Sequence, residues 1–409
     1  MRPLIQMVHP YLPKSGALLI AKYGALLITD YMINTLIELE HKKDFAEQGF
    51  YSKSYLAFDK RLNREVAVKD IIYENLTSAD DFEKYFEEAY KLSTATHPRV
   101  LPVYYVGLDN SGEEAIPRIV TCFFKNGSLN GYLEKVYTTN RTLALDEIIR
   151  YAHDIIQGMI HLHSLDIVHL DLKASNIYIG DDFKMVIGDF GQAKFIKEGI
   201  ILNHVDLYPV LTPVEGVVKK ALDKTTDIYQ FGLLLYSMVC FKKYRNAIEN
   251  TYKISTIQLK QIFRVKPDNV AELKSEFNVN MKLFVKAIKN STFPNRADYP
   301  YYVPKKIQEI IHKCLEPEIK NRYNNFYEIQ ADLNDFIFPH GVSDLYQDLV
   351  TNNLHFIKEG KPCVISIKLA GTMFEVSATK NDRNVAKFNK SDVSEAKLQK
   401  FLLTLAEDL

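Results

Sequence analysis

Hydrophobic and polar positions follow two different periods along this chain, and the changes of period mark its elements. From Asp146 to Ser164, apolar residues fall at Ile148, Ala152, Ile155, Ile156, Met159 and Ile160. That is helical spacing and predicts one long helix with a single buried stripe. Residues 79–94, rich in Glu, Lys, Phe and Tyr, predict another helix, N-capped by Ser78. Val279–Ala287 and Lys305–Cys314 also read as helical. The strand signals are shorter. Glu65-Val66-Ala67-Val68-Lys69 carries β-branched residues and ends on a lysine. Ile119 to Phe124 reads as a strand running into a turn at Lys125-Asn126-Gly127.

Pro339 and Gly341 break the pattern, and a separate one follows them. Cys363 to Leu369 alternates, with Ile365, Ile367 and Leu369 on one face. Ala370-Gly371 turns the chain, and Phe374, Val376 and Ala378 alternate again. Asp392, with Glu395 three residues later, predicts the N-cap of a last helix carrying Leu398, Phe401, Leu402 and Leu405 on one side. Residues 339–409 thus read as a β-hairpin plus helix (ββα) module. A unit this small is marginal alone, so it is expected to pack on the rest of the chain or on a partner.

Near the N-terminus, Gly-Ala-Leu-Leu-Ile occurs twice, at Gly16–Ile20 and Gly24–Ile28, with Lys22 and Tyr23 between the copies. The uninterrupted apolar run is too short to span a bilayer and lacks a cleavage site, so neither a membrane span nor a signal peptide is expected. A buried hairpin or a docking element is the expectation for residues 1–43. Lys+Arg and Asp+Glu both number 51, giving no net charge and no indication of a nucleic-acid partner. The four cysteines, at 122, 240, 314 and 363, have neither metal-ligand spacing nor a disulfide framework. A reducing, cytoplasmic setting is expected. His153, His161 and His163 on the long helix read as satisfied or exposed histidines, not as a metal site.

The chemistry is concentrated in Val168–Gly191. His169-Leu170-Asp171-Leu172-Lys173-Ala174-Ser175-Asn176 is followed by Asp189-Phe190-Gly191, with Asn176 five and Asp189 eighteen residues after Asp171. Transfer of a phosphoryl group to a hydroxyl needs a carboxylate that orients the hydroxyl and accepts its proton. It also needs oxygen ligands for Mg²⁺. This stretch carries an Asp, an Asn and a second Asp. It resembles the catalytic and metal-binding loops of the protein kinase superfamily.

The resemblance extends over residues 44–338 and implies a two-lobed α+β fold. A small β-rich lobe, 44–125, would stand over a larger helical lobe, 126–338, with ATP in the cleft. It implies Asp171 as the base, Lys173 as a γ-phosphate contact, and Asn176 and Asp189 as Mg²⁺ ligands. Lys69 would grip the α- and β-phosphates, paired with Glu88 on the 79–94 helix, with neighbouring Glu87 as the alternative. Thr121 would be the gatekeeper, and the backbones of Cys122 and Phe124 would meet the adenine edge. Of the three phosphate-loop glycines only Gly49 remains, with Glu47 and Ser52 in the other two places and Tyr51 at the tip. Glu47 puts an acidic group near an anionic ligand.

Asp227, in Asp-Ile-Tyr-Gln-Phe-Gly, resembles the family aspartate that braces the catalytic loop. Glu215 resembles the glutamate that closes the activation segment, with Arg322 as its structural partner. In many relatives an arginine before the catalytic Asp binds an activation-loop phosphate; here that residue is Leu170. Between Gly191 and Leu207 there is no Ser, Thr or Tyr, so activity independent of activation-loop phosphorylation is expected. Lys173 resembles the serine/threonine-directed subclass, although Tyr208 aligns where that subclass carries a threonine. Together these imply an ATP- and Mg²⁺-dependent serine/threonine protein kinase acting on protein substrates. The alternatives are a nucleotide-binding pseudokinase scaffold and a small-molecule kinase of the same fold.

Overall fold

The computed structural model describes residues 39–45, 52–71, 90–109, 116–196, 201–202, 207–218, 221–253, 267–297 and 299–409. The described residues fall into two compact units. One runs up to Lys125 and includes Gly188–Ala193; the other comprises Asn126–Ile187 and Lys194–Leu409. The repeated N-terminal pentapeptide and most of the 79–94 helix lie outside the described residues, and residues 90–94 are helical.

The first unit is built on a five-stranded antiparallel sheet. Its strands are β1 (Leu39–Asp44), β2 (Ser52–Asp59), β3 (Arg64–Ile71), β4 (Val103–Asp109) and β5 (Ile116–Cys122), ordered β1-β2-β3-β5-β4. Period-two alternation decides its faces. Tyr55, Ala57, Val66, Val68 and Val120 form one apolar cluster. Burying each large apolar side chain contributes about 1.5–3 kcal/mol. Asp70 and Arg118 face each other across β3 and β5 as a bidentate pair at 2.7 and 2.8 Å, and Tyr55 donates its hydroxyl to Asp70 at 3.0 Å.

The second unit is mainly helical. Its first helices are α1 (Leu129–Thr138), N-capped by Ser128, and α2 (Leu145–Ser164). Helix α2 buries Ile148, Ala152, Ile155, Ile156 and Met159 as the periodicity predicts, whereas Ile160 is only partly buried. Short strands follow: β6 (Ile167–Val168), β7 (Ile177–Ile179) and β8 (Met185–Ile187), then β9 (Lys194–Phe195), which pairs with β6. After β10 (Ile201–Leu202), α3 (Val214–Val218) and β11 (Ala221–Leu222) comes α4 (Lys224–Val239). Asp223 caps α4 by accepting from the Thr225 amide at 2.7 Å, a bond worth about 1 kcal/mol. From Thr226 to Val239 every residue of α4 is buried. Gly232 permits this: a Cβ there would lie 2.6 Å from that of Cys314 on a neighbouring helix.

Helices α5 (Phe241–Asn246), α6 (Pro267–Lys289), α7 (Lys305–Cys314) and α8 (Phe326–Asn334) complete the helical part. Beyond it lies a six-stranded antiparallel sheet. Its strands are β12 (Val342–Gln347), β13 (Leu354–Lys358), β14 (Lys361–Ala370), β15 (Met373–Lys380), β16 (Arg383–Asn384) and β17 (Lys390–Val393), with helix α9 (Glu395–Asp408) at its end. The hairpin read from the sequence is β14–β15, with Ile365 opposite Ala378 and Ile367 opposite Val376. The sheet is larger than that hairpin because β12 and β13 pair ahead of it. Leu369 is exposed at the hairpin end instead of buried with Ile365 and Ile367. The N-cap of α9 is Ser394, not Asp392; Asp392 belongs to β17, which pairs with β15. This sheet is bonded to the helical part: Thr142 and Gln347 exchange two hydrogen bonds, and the Leu349 amide donates to Asn140.

Candidate active site

Strand β3 places Lys69 by backbone pairing alone. It stands opposite Ile119 on β5 and Ser54 on β2, and Ala67 stands opposite Thr121. Directly opposed residues of an antiparallel pair share a face, so Lys69, Ala67 and Thr121 line the face turned away from Val66 and Val68. Within the same unit the Lys69 Nζ lies 3.4 Å from Asp189 Oδ1. Thr121 donates to the Ala67 carbonyl at 3.5 Å. The amide of Cys122 donates to Pro102 O at 3.2 Å. Phe124 follows β5 and is partly buried. Gly49, Tyr51, Glu47, Glu87 and Glu88 lie outside the described residues, while Ser52 is buried at the start of β2.

Lys91, at the described end of the 79–94 helix, is buried and donates to the Ala193 carbonyl at 2.6 Å, just past Asp189-Phe190-Gly191. Sequence reasoning did not single it out, because a lysine on a charged helix reads as solvent-facing.

In the second unit, Asp171, Lys173 and Asn176 come together. Lys173 Nζ donates to both Asp171 carboxylate oxygens, at 3.0 and 2.8 Å. Asn176 Nδ2 donates to Asp171 Oδ2 at 2.7 Å and to the Asp171 carbonyl at 2.9 Å. Asn176 Oδ1 accepts from Ser175 Oγ at 3.5 Å. The ring of Tyr208 lies 5.7 Å from Lys173 Nζ.

Both peptides flanking Asp171 are held by side chains. Its own amide donates to His169 Nδ1 at 3.2 Å, and its carbonyl accepts from Asn176. The Leu170 carbonyl accepts from Gln230 Nε2 at 2.8 Å, and the Leu172 amide donates to Gln230 Oε1 at 2.9 Å. One residue earlier, Asp227 on α4 accepts from the amides of His169 and Leu170, each at 2.8 Å, and from His163 Nε2 at 2.8 Å. The bracing aspartate is therefore where the motif predicts it, and His163 is its satisfied buried partner. Gln230 and His169 are supporting residues that sequence reasoning missed. The available signal was a glutamine inside an otherwise apolar helical run.

Leu170 has a φ of 65° and is fully buried. Val168, Leu170 and Leu222 form an apolar cluster against which Ile196 and Leu207 pack. Nearby, Glu215 and Arg322 form a buried bidentate pair at 2.7 and 3.1 Å. Arg322 Nε donates further to the Glu316 carbonyl at 2.9 Å. A buried carboxylate requires such a partner.

Among the described residues no group of three His, Cys, Asp or Glu forms a metal cage. The carboxylate of Asp189, in the first unit, and the amide oxygen of Asn176, in the second, are each oxygen donors of the kind that Mg²⁺ takes.

Comparison with known proteins gives one family: the protein kinase domain matches residues 42–332, most of the chain. A probable serine/threonine-protein kinase of Clostridium acetobutylicum is 27% identical over 310 residues, 74% of this chain and 41% of the relative. The serine/threonine-protein kinase PknD of Protochlamydia amoebophila is 24% identical over 321 residues, 71% of this chain and 29% of the relative. The tyrosine-protein kinase receptor svh-2 of Caenorhabditis elegans is 27% identical over 203 residues, 48% of this chain and 18% of the relative. The chain spans less than half the length of each of these proteins.

Proposed function

The chain belongs to the protein kinase family, and we propose that it transfers the γ-phosphate of ATP to serine or threonine hydroxyls of protein substrates. The observation that carries this reading is the environment of Asp171. Its carboxylate is bonded to Lys173 and Asn176, and both its peptides are fixed by side chains. A base held this way accepts the proton of the acceptor hydroxyl as the new O–P bond forms and the bond to the β-phosphate oxygen breaks, releasing ADP. Lys69 would bind the α- and β-phosphates and Lys173 the γ-phosphate. Gly49 and Tyr51 would cover the phosphates, with Glu88 supporting Lys69. Thr121, Cys122 and Phe124 would meet the adenine. Asn176 and Asp189 would hold Mg²⁺, which when bound neutralises developing charge on the phosphate oxygens.

Lys173 supports a serine/threonine acceptor, and the Clostridium acetobutylicum and Protochlamydia amoebophila relatives carry that name. Independence from activation-loop phosphorylation is supported by Leu170, which packs in an apolar cluster and cannot pair with a phosphate. The 339–409 segment would act docked on the helical part, in keeping with the Thr142–Gln347 bonds. A cytoplasmic setting agrees with Cys122, Cys240, Cys314 and Cys363 standing outside any disulfide. Among the described residues no helix is long and apolar enough to cross a membrane.

The test is transfer of labelled γ-phosphate from ATP to the chain itself and to a generic basic protein, followed by phospho-amino-acid analysis. Phosphoserine or phosphothreonine is expected, and phosphotyrosine alone would overturn the acceptor assignment. Glu47 and Ser52 favour the second reading, a nucleotide-binding scaffold. Its mark is no transfer while ATP still raises the melting temperature. Mass spectrometry tests the regulatory part. A phosphate at Tyr208 or Thr212 whose removal abolished activity would contradict it.

A further inference from the structure

We propose that Gln230 is a positioning residue for phosphoryl transfer, fixing the peptides on both sides of Asp171 and tying them to the segment at Leu211. The inference rests on the reading of Asp171 as the base. Gln230 is fully buried on α4, between Tyr229 and Phe231. Both polar atoms of its amide are engaged outside its own helix. Oε1 accepts from the Leu172 amide at 2.9 Å, while Nε2 donates to the carbonyls of Leu170 at 2.8 Å and Leu211 at 3.3 Å. One amide donor and two carbonyl acceptors dictate which end of the side chain is oxygen.

Two further observations separate this role from ordinary packing. First, Leu170 has a left-handed backbone, which disfavours any L side chain and persists only where the surroundings over-determine it. Asp227 holds its N–H and Gln230 holds its C=O. Second, Leu170 stands where a charged residue would reach for a phosphate. Gln230 joins the loop to Leu211 by neutral hydrogen bonds that need none. The carboxylate of Asp171 is thereby aimed by α4, through groups that touch neither ATP nor the acceptor.

The experiment compares the full chain with Gln230→Met and Gln230→Glu, measuring kcat, KM for ATP and melting temperature from about pH 8 to about pH 6, the range that spans a raised glutamate pKa. Gln230→Met removes all three bonds, and kcat is expected to fall about 100-fold, the cost of a misplaced reacting group, with KM for ATP unchanged. In Gln230→Glu an ionised carboxylate opposes the two carbonyls. Once protonated it accepts from Leu172 and donates to one of them. Its kcat relative to the unsubstituted chain should therefore rise as pH falls. An unchanged kcat in folded Gln230→Met, or in folded Gln230→Glu at the alkaline end of the range, overturns the proposal. So does a loss that follows melting temperature and is flat with pH. Should Gln230→Met fail to fold, the pH-dependent ratio for Gln230→Glu decides. No transfer by the unsubstituted chain overturns the kinase reading and this inference with it, whereas an active chain with indifferent variants overturns the inference alone.

Discussion

Lys69 and Asp171 are held in place by different means. Lys69 stands in the middle of a five-stranded sheet, where pairing with β2 and β5 fixes its backbone and alternation chooses its face. Asp171 stands on an irregular loop with no ladder to satisfy it. His169, Asn176 and Gln230 bond its flanking peptides, and Asp227 holds the residues before it. Buried peptide groups must find partners either way. On the sheet they come from neighbouring strands, whatever the side chains. On the loop they come from particular side chains, two of them some sixty residues away on α4. Substitutions far from the chemistry should therefore matter more to the loop than to the sheet.

Asp227→Ala gives the largest expected effect. It strands the ring of His163 and the amides of His169 and Leu170, and should cost about 3–5 kcal/mol by urea unfolding, the range for breaking a buried charge network. A cost below about 1 kcal/mol, that of an ordinary hydrogen bond, would show that the loop does not depend on this side chain. The sheet supplies the counterpart. A double-mutant cycle with Asp70→Asn and Arg118→Met should give a coupling of only about 1 kcal/mol, because backbone pairing survives the loss of the pair. A coupling as large as the loop's would show that the sheet also depends on its side chains.

The smallest effect concerns a pair in the helical unit that supports neither site. Asp332 accepts from Lys306 at 2.6 Å and from Tyr323 at 2.5 Å, and these bonds, Lys306 first, hold its pKa below the ordinary carboxylate value. A depressed folded-state pKa contributes stability above the unfolded value of about 3.9 and loses it as pH falls through the folded value. Asp332→Asn should lower the melting temperature slightly at neutral pH, and the gap should close in acid. A gap independent of pH would mean the carboxylate charge contributes nothing.

The same contrast governs what was legible in the sequence. The Val66–Val68 alternation and the stripe on α2 are local patterns, so β3 and α2 could be read directly. Spacing singled out Asp171, Asn176 and Asp189 because phosphoryl transfer calls for those residue types, and the structure bonds Asn176 to Asp171. The one local signal at Gln230, a polar residue in an apolar helical run, does not say which groups it bonds. The residue lies in a helix buried on every side, and only the tertiary structure brings Leu172 and Leu211 to it. The C-terminal sheet was half legible. In β14 and β15 the alternation is clean, but β12 shifts register between Ser343 and Tyr346, which breaks the period that identifies a strand. Asp392 resembled an N-cap in sequence, yet its backbone belongs to β17 and has a φ of 64°.

Whether this loop aims Asp171 as the base of phosphoryl transfer from ATP is decided by single-turnover transfer in the full chain beside Asp171→Asn. A loss of about 10²- to 10⁴-fold is expected in the variant, with ATP binding and melting temperature retained. Equal transfer by both proteins would contradict it.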